Sequence, residues 1–192
     1  MKLSSGSSAS CLAVVHHRPT GPSLHTTIEQ TRDGAFNTLR VRHVRDRGQA
    51  HQLLEFLLAE GSQVERAIPK ARLDGAFFDL RVLSIGAEPR FMVVRQNRHP
   101  ITNLHLGGWR GDLERLRHLA PPASWEGAMQ SCRTVAQCYR SLHLGIDLMF
   151  EPGLEAHRII EANAFGDLLP RLSLDGANVW QWEIRQAQAS ND

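Results

Sequence analysis

Two stretches constrain this chain most: "FFDLRVLSI" and "RFMVVRQN" around "GAEP", and "GIDLMF" and "HRIIEANAF" around "EPGLEA". In each, apolar runs with period-two alternation flank a short cluster of turn residues, which is the pattern of a β-hairpin. A reversal centred on Leu154 sets Asp147 opposite Glu161 and Met149 opposite Ile159. Opposed residues have Cβ atoms roughly 5 Å apart, and two carboxylates at that separation suppress each other's ionisation. A divalent cation between them removes the conflict. Asn163, two residues beyond Glu161 and on its face, supplies a neutral third oxygen. Oxygen ligands with open positions suit Mg²⁺. The competing reading is a solvated hairpin face. Ile146, Leu148, Phe150 and Ile160 half-bury both strands, so the polar face lines either a cleft or the surface.

Centring the other reversal on Ala87, Glu88 and Pro89 sets Arg81 opposite Arg95 and Asp79 opposite Asn97. Opposed arginines destabilise a strand pair unless an anion lies between them, and phosphate suits the guanidinium fork. A solvated basic surface, with Asp79 pairing one arginine, is the alternative. An acidic cation set and a basic anion set in one chain suit a magnesium–nucleotide complex. Nucleic acid would call for a broad basic stripe with aromatics, and the formal charge of +2 is nearly balanced.

The 192 residues, 42% hydrophobic, suffice for one domain or two small lobes. Cys11, Cys132 and Cys138 form neither a ligand motif nor a disulfide framework and read as small core residues in a reducing compartment. The ten histidines lack zinc spacing. Without an apolar run of 18 residues or a signal-peptide core, the expectation is a cytoplasmic protein away from membranes.

The rest of the pattern predicts α+β structure with antiparallel sheets. "CLAVVHH", "SLHTTIEQT" and "NTLRVRHVRD" read as strands, and Leu53, Leu54, Leu57 and Leu58 mark a helix ended by Gly61. "SQVERAIPK" reads as a strand broken at Pro69, and "ITNLHL" as a strand with Asn103 and His105 on the face of Ile101. "GDLERLRHLA" and the recurrence from Trp125 to Tyr139 read as helices. "NVWQWEI" is of uncertain form, with Trp180 and Trp182 on one strand face.

With these elements in place, "VERAIP", "FDLRV", "TNLHLGG", "GIDLMF" and "IIEANAF" resemble the ATP-grasp superfamily, and most of all its ribosomal-protein glutamate-ligase, glutathione-synthetase and spore-coat-associated branches. The resemblance spans Lys2 to Leu169. It implies ATP-grasp-like antiparallel sheets with flanking helices, and a cytoplasmic ligase that activates a small-molecule or peptide carboxylate with ATP and joins it to an amine. The alternative is a catalytically inactive ATP-grasp-like nucleotide-binding or protein-interaction domain.

Carried over, the resemblance makes Asp147, Glu161 and Asn163 ligands for Mg²⁺ (or Mn²⁺), and Arg81 the contact to the terminal and acyl phosphates. Arg95 or Arg98 is a second anion contact, and Asn103 lies beside the phosphates. Glu65 and Ala67 border adenine, and Ile68 packs on the base. Lys2 ends a strand before a small-residue phosphate loop containing Ser5, Gly6 and Ser7, and "CLAVV" is the returning strand. Residues 1–70 then form a partial small lobe with the phosphate loop and adenine-side strand. Residues 71–192 form the C-terminal lobe with the magnesium and phosphate site. Only Met1 precedes the lysine, so the resemblance implies truncation at the N-terminus: a fragment, the product of a late start site, or a subunit whose missing domain a partner supplies, with unpaired strand edges that favour a dimer.

Overall fold

Leu53 and Leu57 lie one helical turn apart, and both are buried on the helix that their spacing predicts. The structure, a computed structural model, describes residues 1–3, 11–19, 21–164 and 169–189. Strands β1 (Lys2–Leu3), β2 (Ala13–Arg18), β3 (Gly21–Thr31) and β4 (Gly34–Val44) precede helix α1 (Arg47–Ala59) and strand β5 (Ser62–Gln63). Strands β6 (Arg72–Leu73), β7 (Ala76–Ile85), β8 (Glu88–Asn97) and β9 (Trp109–Arg110) follow. Helices α2 (Leu113–Leu119) and α3 (Pro122–Gln137) lead to β10 (His143–Phe150), β11 (His157–Asn163) and helix α4 (Val179–Ala189). The architecture is α+β, with antiparallel pairing of β1 with β5, β2 with β3, β3 with β4, β7 with β10 and β10 with β11.

The chain divides into two units. The first takes Met1–Pro69, Gly75–Phe77 and Gln96–Trp109, and the second takes Lys70–Asp74, Phe78–Arg95 and Arg110–Asp192.

In the first unit, β2, β3 and β4 form a three-stranded meander. One face contributes Ala13, Leu24, Ile28 and Val44 to a core closed by Ala50, Leu53 and Leu57 of α1. The Asp46 carboxylate caps α1, accepting from the Gln49 N–H at 2.8 Å, and Gly61 ends the chain's turn beyond it at φ 75°. Alternation sends the neighbouring side chains to the opposite face. There His25 is in register with His43. Their rings stack with centroids 4.2 Å apart, and the His16 ring meets His25 edge-on at 5.2 Å.

Burial, reinforced by the positive potential of His43, His16, His99 and Arg18, lowers the His25 pKa to about 4, and burial likewise lowers that of His43. Between pH 6.5 and 4 the unfolded chain therefore binds more protons at His25 than the folded one, so stability should fall as the pH drops through that window. Thermal melting followed across it should show this fall, with a shallower slope in His25→Gln.

The second unit is built on a sheet of order β11-β10-β7-β8-β9, with β6 also paired to β7. Phe78, Leu80, Val82, Val94, Leu144, Ile146, Leu148 and Phe150 point to one face, where Ala128, Met129, Cys132 and Ala136 of α3 and Leu116 of α2 cover them. The intervening residues of β7, β8 and β10 point the other way, and that face carries the charged side chains.

Several expected elements take another form. The reversal between β7 and β8 is Gly86–Ala87, with φ of 60° and 65°, and Glu88 and Pro89 already belong to β8. The hairpin is thus shorter than one centred on Glu88. The second hairpin keeps Asp147 opposite Glu161, but a bulge follows: Leu148 pairs with Ile159 and Met149 with Arg158, in place of Met149 with Ile159. Ile160 is the extra residue, and it is exposed where the alternation predicts burial.

"ITNLHL" is not a strand. Asn103 caps a 3-10 turn, Leu104–Leu106, by accepting from the His105 N–H at 2.9 Å, and Gly107 closes it at φ 82°. Asn103 and His105 therefore do not share a strand face with Ile101. "SQVERAIPK" supplies only the two-residue β5, and residues 64–69 follow without regular structure. "NVWQWEI" is the start of α4, so Trp180 and Trp182 do not share a strand face. Trp182 donates to the Leu174 carbonyl at 2.9 Å, while Trp180 is exposed.

Gly108, after the turn, has no room for a side chain. A Cβ there would lie 2.9 Å from the backbone oxygens of Gln96 and Asn103. Gly108→Ala should cost about 1–3 kcal/mol, as overpacking against rigid backbone does, read as a lower urea midpoint. An unchanged midpoint would show that the turn relaxes freely.

Candidate functional site

The charged face of the second unit's sheet concentrates its groups in one transverse row. Arg81 on β7 is the register partner of Asp147 on β10, and Asp147 is the partner of Glu161 on β11. Side chains opposed in this way share a face, so one line across three strands reads arginine, aspartate, glutamate. Arg95 on β8 reaches the same aspartate from the next strand.

Arg81 Nη1 lies 2.9 Å from Asp147 Oδ1, and Arg95 Nη2 lies 3.0 Å from Asp147 Oδ2. Arg95 Nε also donates to Asp79 Oδ1 at 2.7 Å, and Lys70 Nζ donates to Asp79 Oδ2 at 3.1 Å. The two arginines thus meet through a carboxylate. Asp79 joins Arg95 and Lys70, and Asn97 instead donates to the Leu106 carbonyl at 3.3 Å. The sequence pattern predicts an external anion between Arg81 and Arg95, whereas the fold supplies Asp147. Lys70 carries no local signal of its role, because its partner Asp79 lies on a later strand.

The electrostatics follow from burial. Asp147 and Arg95 are each 7% exposed. Burial pushes the Asp147 carboxyl above its ordinary value, against the pull of Arg95 and Arg81. For Arg95, burial works against the charge, but Asp79 and Asp147 more than offset it and hold the guanidinium above its ordinary pKa. These ion pairs join three cations (Lys70, Arg81, Arg95) to two carboxylates (Asp79, Asp147).

Contact between Arg81 and Asp147 is close without being a well-directed hydrogen bond. Asp147 Oδ1 and Arg81 Nη1 are buried, and among the described residues each lacks a hydrogen-bond partner despite their 2.9 Å separation. Asp147 Oδ1, buried against Arg81 and beside a second carboxylate in register, is the kind of oxygen a hard cation takes once the arginine moves off it. Glu161 is exposed, and its Oε1 accepts from Asn163 Nδ2 at 3.1 Å. Asn163 stands opposite Gly145, which has no side chain to compete for the space. Among the described residues, no three histidine, cysteine, aspartate or glutamate side chains gather as a metal group. The combination of Asp147, Glu161 and Asn163 instead draws its third oxygen from a carboxamide.

The remaining candidates belong to the first unit. Lys2 lies in β1, paired with Gln63 of β5. Asn103 uses its side-chain oxygen to cap the 3-10 turn. Glu65, Ala67 and Ile68 lie in the irregular segment after β5, all exposed, rather than on the expected strand. Ser5, Gly6 and Ser7 lie outside the described residues. Arg98 is exposed just beyond β8, and its N–H donates to Asn97 Oδ1 at 2.8 Å.

The chain matches no protein-family model and no curated protein. Among the described residues, no helix is long and apolar enough to cross a membrane.

Proposed function

We propose that this chain is an ATP-dependent carboxylate–amine ligase of ATP-grasp type, or the ATP- and magnesium-binding portion of one. The observation that carries the reading is the row in which Arg81, Asp147 and Glu161 occupy consecutive register positions, with Arg95 gripping the same aspartate. Such a row offers a cation oxygen ligands on one side and a phosphate guanidinium donors on the other.

Asp147, Glu161 and Asn163 would hold magnesium, whose charge would offset that of the phosphate oxygens and that of the two carboxylates. Transfer of the γ-phosphoryl group from ATP to a substrate carboxylate makes ADP and an acyl phosphate. An amine then attacks the acyl carbon, phosphate leaves, and the nitrogen loses a proton. Arg81 and Arg95 would neutralise charge on the transferring group and on the tetrahedral intermediate. To do so they exchange Asp147 for phosphate, which frees the carboxylate oxygens at the same moment. Metal and phosphate should therefore each strengthen binding of the other.

One observation favours a second reading, a nucleotide-binding domain without catalysis: both Asp147 oxygens are already engaged by arginine. Phosphate release from ATP separates the two readings, measured with pooled amino acids and short peptides as acids and amines. Release that needs both an acid and an amine supports the ligase. Magnesium-dependent nucleotide binding without release in any combination supports the binding domain.

A further inference from the structure

On the first unit, the outer face of the three-stranded sheet gathers imidazole and guanidinium groups from four segments. His16 and Arg18 come from β2, His25 from β3, His43 and Arg45 from β4 and the residue after it, and His99 from the residues after β8. His16 Nε2 and His25 Nδ1 are 3.2 Å apart, and the His99 ring lies 6.4 Å from that of His25. Arg45 Nε donates to His43 Nδ1 at 3.3 Å, which places the neutral ring's proton on Nε2. That Nε2 is buried and has no acceptor among the described residues. The charges that act on His25 are those of His43, His16, His99 and Arg18, and those that act on His43 are of Arg45, Arg18 and His16. All are positive.

A cluster with surplus donors, flanked by two arginines, invites an acceptor that carries negative charge. A metal ion fits less well. The stacked His25 and His43 rings do not converge their nitrogens, no three ligating side chains gather among the described residues, and the arginines repel a cation. We infer that this face, bounded by His16, His25, His43, His99, Arg18 and Arg45, binds a phosphoryl group. A phosphoryl dianion has enough oxygens to take several of these donors at once, where a carboxylate has two. The inference goes beyond the proposed ligase and needs none of Asp147, Glu161 or Asn163.

Anion binding here must carry proton uptake, because a bound dianion favours the charged form of every nearby ring. The test is a pH titration of the histidine Cε1–Hε1 NMR signals of the full chain in chloride, inorganic phosphate, pyrophosphate and acetate at matched ionic strength. Phosphate and pyrophosphate should raise the His25 midpoint from its chloride value by about one unit or more, a tenfold linkage. The double variant Arg18→Ala/Arg45→Ala should lose that shift. An identical midpoint in chloride and phosphate overturns the inference, as does a shift that survives the double variant. An equal shift with acetate overturns the phosphoryl assignment. If the double variant does not fold, the wild-type comparison of phosphate with chloride decides alone.

Discussion

Replacing Arg95 by methionine is expected to cost about 3 kcal/mol of stability, at the low end of the ~3–5 kcal/mol seen when one partner of a buried ion pair is removed. Among the salt bridges of the described residues, Arg95 is the side chain that touches both Asp79 and Asp147. Its loss leaves Asp79 with Lys70 and Asp147 with Arg81 as the remaining cation. The cost stays at the low end because neither carboxylate is orphaned. Urea denaturation at neutral pH measures it, and a loss below about 1 kcal/mol would show that water or rearrangement takes over the arginine's role. The pH dependence has a definite sign. Without Arg95 the two carboxyl pKa values rise in the folded state, so stability is lost as pH rises through the shifted range. The deficit against wild type should shrink as the solution is acidified toward the ordinary carboxylate pKa. Arg81→Met should cost less, because its side chain is 18% exposed against 9% for Arg95.

Truncating Phe150 to alanine should cost about 3–5 kcal/mol, the range for emptying a buried aromatic site. Phe150 is fully buried at the end of β10, its ring centroid 6.3 Å from Trp125 and 6.4 Å from Phe78. Its carbonyl also accepts from the Ala71 N–H at 2.8 Å. The residue therefore fastens β10 to α3 and to the segment beside Lys70. Phe150→Leu keeps most of the volume and should lose less than half as much. Because Phe150 and Asp147 point to opposite faces of the sheet, Phe150→Leu should retain magnesium-dependent nucleotide binding. Loss of binding in a well-folded Phe150→Leu protein would show that the charged face depends on the core's detailed packing. Urea midpoints and nucleotide titration on the same samples give both readouts.

What the sequence makes legible, and what it hides, follows from the range of the interactions. The pairing of Asp147 with Glu161 is legible because a short turn and strict alternation fix both register and face. The bulge at Ile160 is not, because alternation alone cannot count an inserted residue. Pro89 and Glu88 look like turn residues, but Gly86–Ala87 makes the reversal, with Ala87 at a positive φ that composition does not announce. The start of α4 is legible in principle. Asn178 and Gln181 exchange hydrogen bonds of 2.9 and 3.0 Å as a capping box, and the Asn-x-x-Gln spacing signals it. The alternation of Trp180 and Trp182 masks that signal. Lys70 at Asp79 and the histidine cluster have no local signature, since each depends on segments meeting from separate parts of the chain.

Calorimetric titration of the full chain with the non-hydrolysable ATP analogue AMP-PNP, with and without Mg²⁺, compares wild type with Glu161→Gln most directly. Glu161 is exposed and its carboxylate accepts from the neighbouring Asn163 side chain, so the variant should fold normally. Wild type should bind the analogue at least tenfold more tightly with Mg²⁺, about 1.4 kcal/mol, and Glu161→Gln should lose that gain while keeping the weaker metal-free binding. Equal affinity with and without the metal in wild type, or an undiminished metal effect in the variant, would contradict the placing of a magnesium–nucleotide site on Asp147 and Glu161.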